Sequence, residues 1–265
     1  MFISYRYADP NLNRASKTIH EFQVVHKMYT PQFHKIKDNS IDRPYAGYAF
    51  LNYKNNKFNK NNALITGIEL GAIGPVTKAA EIQNTLHQSI GYSENKAWKN
   101  QIQNKFAINI EASYLQTLSK KKKRYIDFIA TTTAKIGTIH SHVSANLYSR
   151  INLLKTLLSP FNATTLLDSN LYNQPTIQQK EFFIYLRPQV NYTFYNATIQ
   201  GSLANEARQV NYTLIPLNIE MEIGIKYACK RMNLSYAAVR YSKTLEEMIE
   251  ASNTYGAIKI AYLFD

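Results

Sequence analysis

Apolar and polar positions alternate along almost the whole chain. In residues 218–227, "NIEMEIGIKY", Ile219, Met221, Ile223, Ile225 and Tyr227 form one face, and Asn218, Glu220, Glu222, Gly224 and Lys226 form the other. The same period of two places Phe106, Ile108, Ile110, Ala112 and Tyr114 opposite Asn109, Glu111 and Ser113. It also places Phe182, Ile184, Leu186, Pro188, Val190, Tyr192 and Phe194 opposite Arg187, Gln189, Asn191 and Thr193. Eleven strands are predicted on this criterion, near 2–8, 18–29, 45–54, 63–71, 106–117, 124–136, 141–150, 181–195, 217–228, 232–242 and 255–264. Most exceed the five or six residues typical of globular strands and match the roughly 9–11 needed to cross a bilayer at a tilt. Long strands with one apolar and one charged face predict an all-β antiparallel transmembrane barrel, a single domain over 1–265. A soluble lipocalin-like barrel or sandwich is the rival, and its apolar face would point inward.

The strand pattern ends on "GAIKIAYLFD", where Ile258, Ile260, Tyr262 and Phe264 alternate up to an aromatic next to Asp265. Outer-membrane strands often end on such an aromatic at the interface. Single-chain bacterial barrels have an even number of strands, so eleven implies either a strand that the pattern does not reveal or one that is missing. An open edge in lipid would cost several kcal/mol per unsatisfied backbone group, about 5 as an order of magnitude. The sequence opens on a strand at its second residue, with no signal peptide ahead of it, which points to its beginning.

One stretch breaks the alternation. "GPVTKAAEIQNTLHQSIG", residues 74–91, has helical spacing and predicts a helix over 77–90 with Thr77 as its N-cap. Ile82, Leu86 and Ile90 recur every four residues as the expected packed face, and Gln83 and His87 form a second, polar row. A lone helical histidine is more often a surface or satisfied core residue than a catalyst. The glutamine one turn away, with Glu94, Trp98 and Gln101 nearby, raises His87 as a candidate general base. Upstream, Asp42-Arg43-Pro44-Tyr45 reads as a turn entering a strand. Its arginine can grip a phosphate or carboxylate in bidentate fashion, or pair with Asp42.

Charge narrows the partners. The chain has 31 Lys and Arg against 18 Asp and Glu, net +13, which favours an anionic partner (nucleic acid, phospholipid, lipopolysaccharide or a phosphorylated substrate), or simply a basic solvated surface. Part of the excess, Lys120 to Arg124, reads as a hairpin turn. One cysteine, Cys229, excludes an internal disulfide and a cysteine-based metal site. No apolar run is long enough for a transmembrane helix.

"MYTP" (28–31), "DRPYAG" (42–47), "LGAIGP" (70–75) and "EIQNTLHQSIG" (81–91), followed by Trp98 and Gln101 in "AWKNQIQN", resemble in order the motifs of the lipid A deacylase (lipid A 3-O-deacylase) family of outer-membrane enzymes. "YIDFIATTTAKIGT" (125–138), "ATIQGS" (197–202) and "MNLSYAAVRYSKTLEE" (232–247) extend the likeness more loosely. The resemblance implies a twelve-stranded barrel in the bacterial outer membrane that hydrolyses the 3′-linked acyloxyacyl ester of lipid A with a histidine-activated water and calcium. It implies His87 as the base, Gln83 as its support, and Arg43 and Tyr45 as substrate contacts. Glu94, or Ser93 in a neighbouring register, is the implied metal-site position. Further metal ligands are expected in a first strand, carrying Asn-Asp, that precedes this chain in the family. Lipid A and outer-membrane lipids are the implied partners, with no nucleic acid, and a monomer is expected. Asn104-Lys105 stands where the family commonly has Asn-Glu, and a lysine there disfavours a nearby cation. The rival reading is a non-catalytic barrel, a pore or structural protein that keeps the scaffold without a complete site.

Overall fold

The computed structural model describes residues 1–9, 16–31, 42–119, 125–154, 157–167, 180–201, 212–229 and 231–262. They form one antiparallel meander in chain order. Its strands are β1 (Phe2–Ala8), β2 (Ser16–Tyr29), β3 (Ala46–Asn59), β4 (Asn62–Ile73), β5 (Lys105–Thr117) and β6 (Ile126–Gly137). They continue as β7 (His140–Asn152), β8 (Lys180–Asn196), β9 (Leu217–Cys229), β10 (Met232–Ser242) and β11 (Ser252–Tyr262). All eleven predicted strands are present. β3 runs five residues past its predicted end, because Lys54, Asn56 and Phe58 continue the inward row through a polar stretch where apolar alternation fades. Phe264 and the Lys120–Arg124 turn lie outside the described residues.

The two faces divide as a membrane barrel requires. Ile219, Met221 and Ile223 on β9 are exposed, as are Phe106 and Ile110 on β5 and Val190 and Phe194 on β8. The opposite face carries paired charges. Arg187 on β8 reaches Glu220 at 2.7 Å and also Glu222. Lys135 bridges Glu69 at 2.7 Å and Glu111 at 2.8 Å, and Lys54 meets Glu111 at 3.1 Å. Tyr48 and Asn109 donate to Glu69. Pairing of this kind is what lets charged side chains sit away from bulk water. A cavity of about 280 Å³ is lined by Arg6 of β1, Glu21 of β2, Lys54 of β3 and Lys259 of β11, so the sheet curls until its first and last strands share one interior. Among the described residues no ladder joins β1 to β11.

A segment between β7 and β8 closes this interior at the end opposite the helix. Phe161 packs on Phe58, with ring centres 6.1 Å apart, within an apolar cluster that includes Ala8, Ile19, Leu115 and Ile129. Leu166 and Leu167 line the floor of the cavity. Buried charge holds the segment in place. Arg150 donates to both oxygens of Asp127, at 2.7 and 2.8 Å, and to the Ser159 carbonyl at 2.9 Å. Glu181 accepts from Ser159 N at 2.7 Å and Thr165 Oγ1 at 2.5 Å, and Lys226 donates to the Thr165 carbonyl. Arg150, Asp127 and Glu181 are all buried. Removing one member of such a set strands the others and costs about 3–5 kcal/mol.

Candidate functional site: a helix on the outer wall

The connection from β4 to β5 is built to lie against the barrel. Gly74, in the left-handed region at φ 103°, donates its N–H to the Gly47 carbonyl at 2.8 Å. Pro75 then opens a single 3-10 turn, Pro75–Thr77. The α-helix, α1, spans Ala79–Ser89 rather than 77–90, and Thr77 is not its cap. The Thr77 hydroxyl turns back to the Gly74 carbonyl at 2.7 Å, and a left-handed Lys78 separates the turn from the helix.

Which side of the wall the helix occupies follows from the alternation. Gly47 shares the outward parity of Leu51, which is exposed. A Cβ at Gly47 would lie 2.0 Å from Thr77 Oγ1 and 2.6 Å from the Ala79 Cβ. His26, outward on β2 beside Val24, holds the Thr77 carbonyl through Nε2 at 2.9 Å. Asn104 accepts from Val76 N at 2.7 Å. The turn and helix therefore stand on the outside of the barrel, at the rim where β2 ends and β3 begins.

The helix is rotated relative to the sequence expectation. Ile82, Leu86 and Ile90 are 46 %, 55 % and 60 % exposed, so they do not form the packed face. Burial falls instead on Ala79, against Tyr45 and Trp98, with Ala80 and Ala97 beside them. The apolar row points away from the protein, as the barrel's own outer face does. An apolar stripe seeks the least polar surroundings available, and outside a membrane barrel these are lipid.

The polar row faces the wall. Gln83 and His87 are half-buried, with Gln83 Nε2 3.4 Å from His87 Nε2. Trp98, in the 3-10 turn Lys96–Asn100, donates its indole N–H to Gln83 Oε1 at 2.5 Å. Its ring lies 5.0 Å from that of Tyr45, whose hydroxyl accepts from Asn95 Nδ2 at 3.1 Å. Tyr45, expected from the sequence at the substrate, is only 1 % exposed and packs beneath the helix with Ala79 and Trp98. Burial also raises its pKa, against the Asn95 hydrogen bond, so the phenol stays neutral. Glu94 is exposed and turned to Asn84 Nδ2 at 3.4 Å, while Asn84 in turn accepts from Asn95 N at 2.9 Å.

Arg43 sits elsewhere. Its guanidinium lies 4.6 Å over the ring of Tyr29, which packs on the lumen-side cluster of Tyr48 and Phe50. Burial lowers its pKa from the usual arginine value, and Tyr29, Tyr241 and Asp42 oppose that shift. Among the described residues its Nε is buried without a hydrogen bond, and no hydrogen bond or ion pair joins Arg43 to Gln83 or His87. The sequence expectation placed both on one substrate. The structure puts Arg43 at the lumen mouth and His87 on the outer wall, because Arg43 precedes the first paired residue of β3 and turns inward over the strand end. His26, Gly47 and Asn95 were not singled out from the sequence, and Asn104 was noted there only beside Lys105. The helical spacing of Gln83 and His87 gave a signal, whereas these four act across strands and loops.

Among the described residues no three His, Cys, Asp or Glu side chains converge as metal ligands. Near His87 the described carboxylate is Glu94, and the next residues bring the exposed Lys96 and Lys99. Calcium takes six to eight oxygens, of which Glu94 would supply one carboxylate here.

A strand meander with an apolar outside and a salt-bridged interior, carrying a histidine-bearing helix on its outer face at one rim, defines an outer-membrane-type β-barrel with a candidate site on its lipid-facing side. The family model described as outer membrane protein LpxR matches residues 3–264, and the chain belongs to that family. Among solved structures it is similar to LpxR from Salmonella typhimurium, with a TM-score of 0.79 at 16 % identity, covering 99 % of this chain and 88 % of that one. This likeness is one of fold. No curated protein matches the sequence.

Proposed function

We propose that the chain is a carboxylic ester hydrolase acting on lipid A in the outer membrane, removing the 3′-linked acyloxyacyl group that the sequence resemblance implies. The observation that carries this reading is the seat of α1. It presents Gln83 and His87 on the lipid-facing side of the wall, beneath a row of exposed apolar side chains. A bilayer-embedded ester can reach that position without leaving the membrane. The exposed Lys96 and Lys99 and the net charge of +13 suit an anionic headgroup.

In the reaction, His87 Nε2 takes a proton from water as the water oxygen bonds to the acyl carbon. The adduct collapses with cleavage of the bond to the sugar oxygen, which receives that proton from Nε2. A carboxylic acid and an alcohol result. No step is assigned to calcium or to Arg43, since the described groups around His87 supply neither. A non-catalytic barrel is the second reading, favoured by the lack, among the described residues, of three converging His, Cys, Asp or Glu side chains. Mass spectrometry of lipid A from cells making wild type or His87→Ala separates the two. Loss of a positioned base should lower deacylation about 10²–10⁴-fold while the barrel still assembles. Equal deacylation by both forms removes His87 from the chemistry, and none by either supports the non-catalytic barrel.

A further inference from the structure

An indole N–H can only donate. With Trp98 Nε1 2.5 Å from Gln83 Oε1, the orientation of the Gln83 amide is fixed by chemistry: its oxygen faces the indole. Its NH2 group therefore faces His87 Nε2, 3.4 Å away. An amide nitrogen offers donors only, so the imidazole nitrogen opposite it is the one with the lone pair. We infer that Trp98 is a positioning residue of this site, which acts through Gln83 to hold His87 as the Nδ1–H tautomer with its basic lone pair at Nε2.

This has two consequences for the hydrolysis proposed above, on which its catalytic meaning rests. Before substrate arrives the Nε2 lone pair accepts from the Gln83 amide, and the attacking water takes the place of that long hydrogen bond. Once Nε2 takes a proton, its N–H confronts the amide N–H groups, so the proton passes on readily to the departing sugar oxygen. The geometry itself does not depend on the substrate. Trp98 also packs on Tyr45 and Ala79, a purely structural role that Phe would retain.

The test reads the tautomer directly. Long-range 1H–15N correlation spectra of 15N-histidine-labelled protein in detergent identify His87 by the signal missing from His87→Ala. Wild type should show His87 as the Nδ1–H form. Trp98→Phe, which keeps an aromatic ring and loses the donor, should show a mixture of tautomers and about tenfold lower kcat on lipid A with little change in KM. Gln83→Glu can accept from both the indole and Nε2, and should convert His87 to the Nε2–H form. Heat-modifiable mobility on gels checks that each barrel has folded. An Nε2–H tautomer in wild type, or an unchanged tautomer in folded Trp98→Phe, overturns the inference. If the tautomers behave as stated but no acid is released from lipid A, the inference stands and the hydrolase reading fails.

Discussion

Gly47 shows how much of the site depends on a side chain that is absent. The hydrogen atom at this outward position of β3 is what allows Thr77 and Ala79 to touch the wall. Gly47→Val should lift the turn and helix while the strand, which favours β-branched residues, remains paired. Trp98 is the single tryptophan and is 2 % exposed, so its fluorescence reports the seat of the helix without labelling. The substitution should red-shift Trp98 emission and lower deacylation at least tenfold, since displacements of about 1 Å can cost 10²-fold. Unchanged emission together with unchanged activity would show that the helix does not need this contact. At this scale the sequence displayed Gln83 and His87, because residues four apart on a helix share a row. It did not display Gly47 or His26, whose parts in the site depend on which side of the wall the helix takes. The stacking of Arg43 on Tyr29 was not displayed either, since nearness in sequence to a site says nothing about which way a rim residue turns.

At the scale of elements, the strands were legible because a period of two survives wherever one face meets lipid and the other meets paired charge. Boundaries slipped where that contrast fades, as in β3 beyond Lys54. The orientation of α1 was not legible. The rule that an apolar row packs inward assumes water outside, and here Ile82, Leu86 and Ile90 point outward. The inserted segment at residues 157–167 carried no periodic signal either, since it is held by Arg150, Glu181 and Lys226 reaching its backbone from three strands. This insertion closes one end of the interior, and the Arg187–Glu220 and Lys135–Glu111 pairs cross the rest of it. Purified protein in planar bilayers should therefore show no steady conductance, and deletion of 158–166 should produce open channels. Steady wild-type currents of porin size would contradict the closed interior and favour a pore.

For the molecule as a whole, inside and outside carry separate tasks. The lumen holds the paired charges and the insertion that stabilise the barrel, while the outer wall near one rim holds the histidine. A net charge of +13 with exposed lysines beside an apolar helix face suits a surface that meets anionic lipid. This arrangement turns the rival readings into distinct outcomes. A soluble carrier would place its apolar row inside, and the exposed row on β9 rules that out for this fold. The claim that the row of Gln83 and His87 activates water is tested most directly by incubating the purified protein with lipid A in 18O-enriched water and weighing the acid released. Wild type should release a carboxylic acid carrying one 18O atom from solvent and leave an unlabelled sugar hydroxyl, and His87→Ala should release about 10²–10⁴-fold less. An acid without solvent oxygen, equal release by the two forms, or no release by folded wild type would contradict the account.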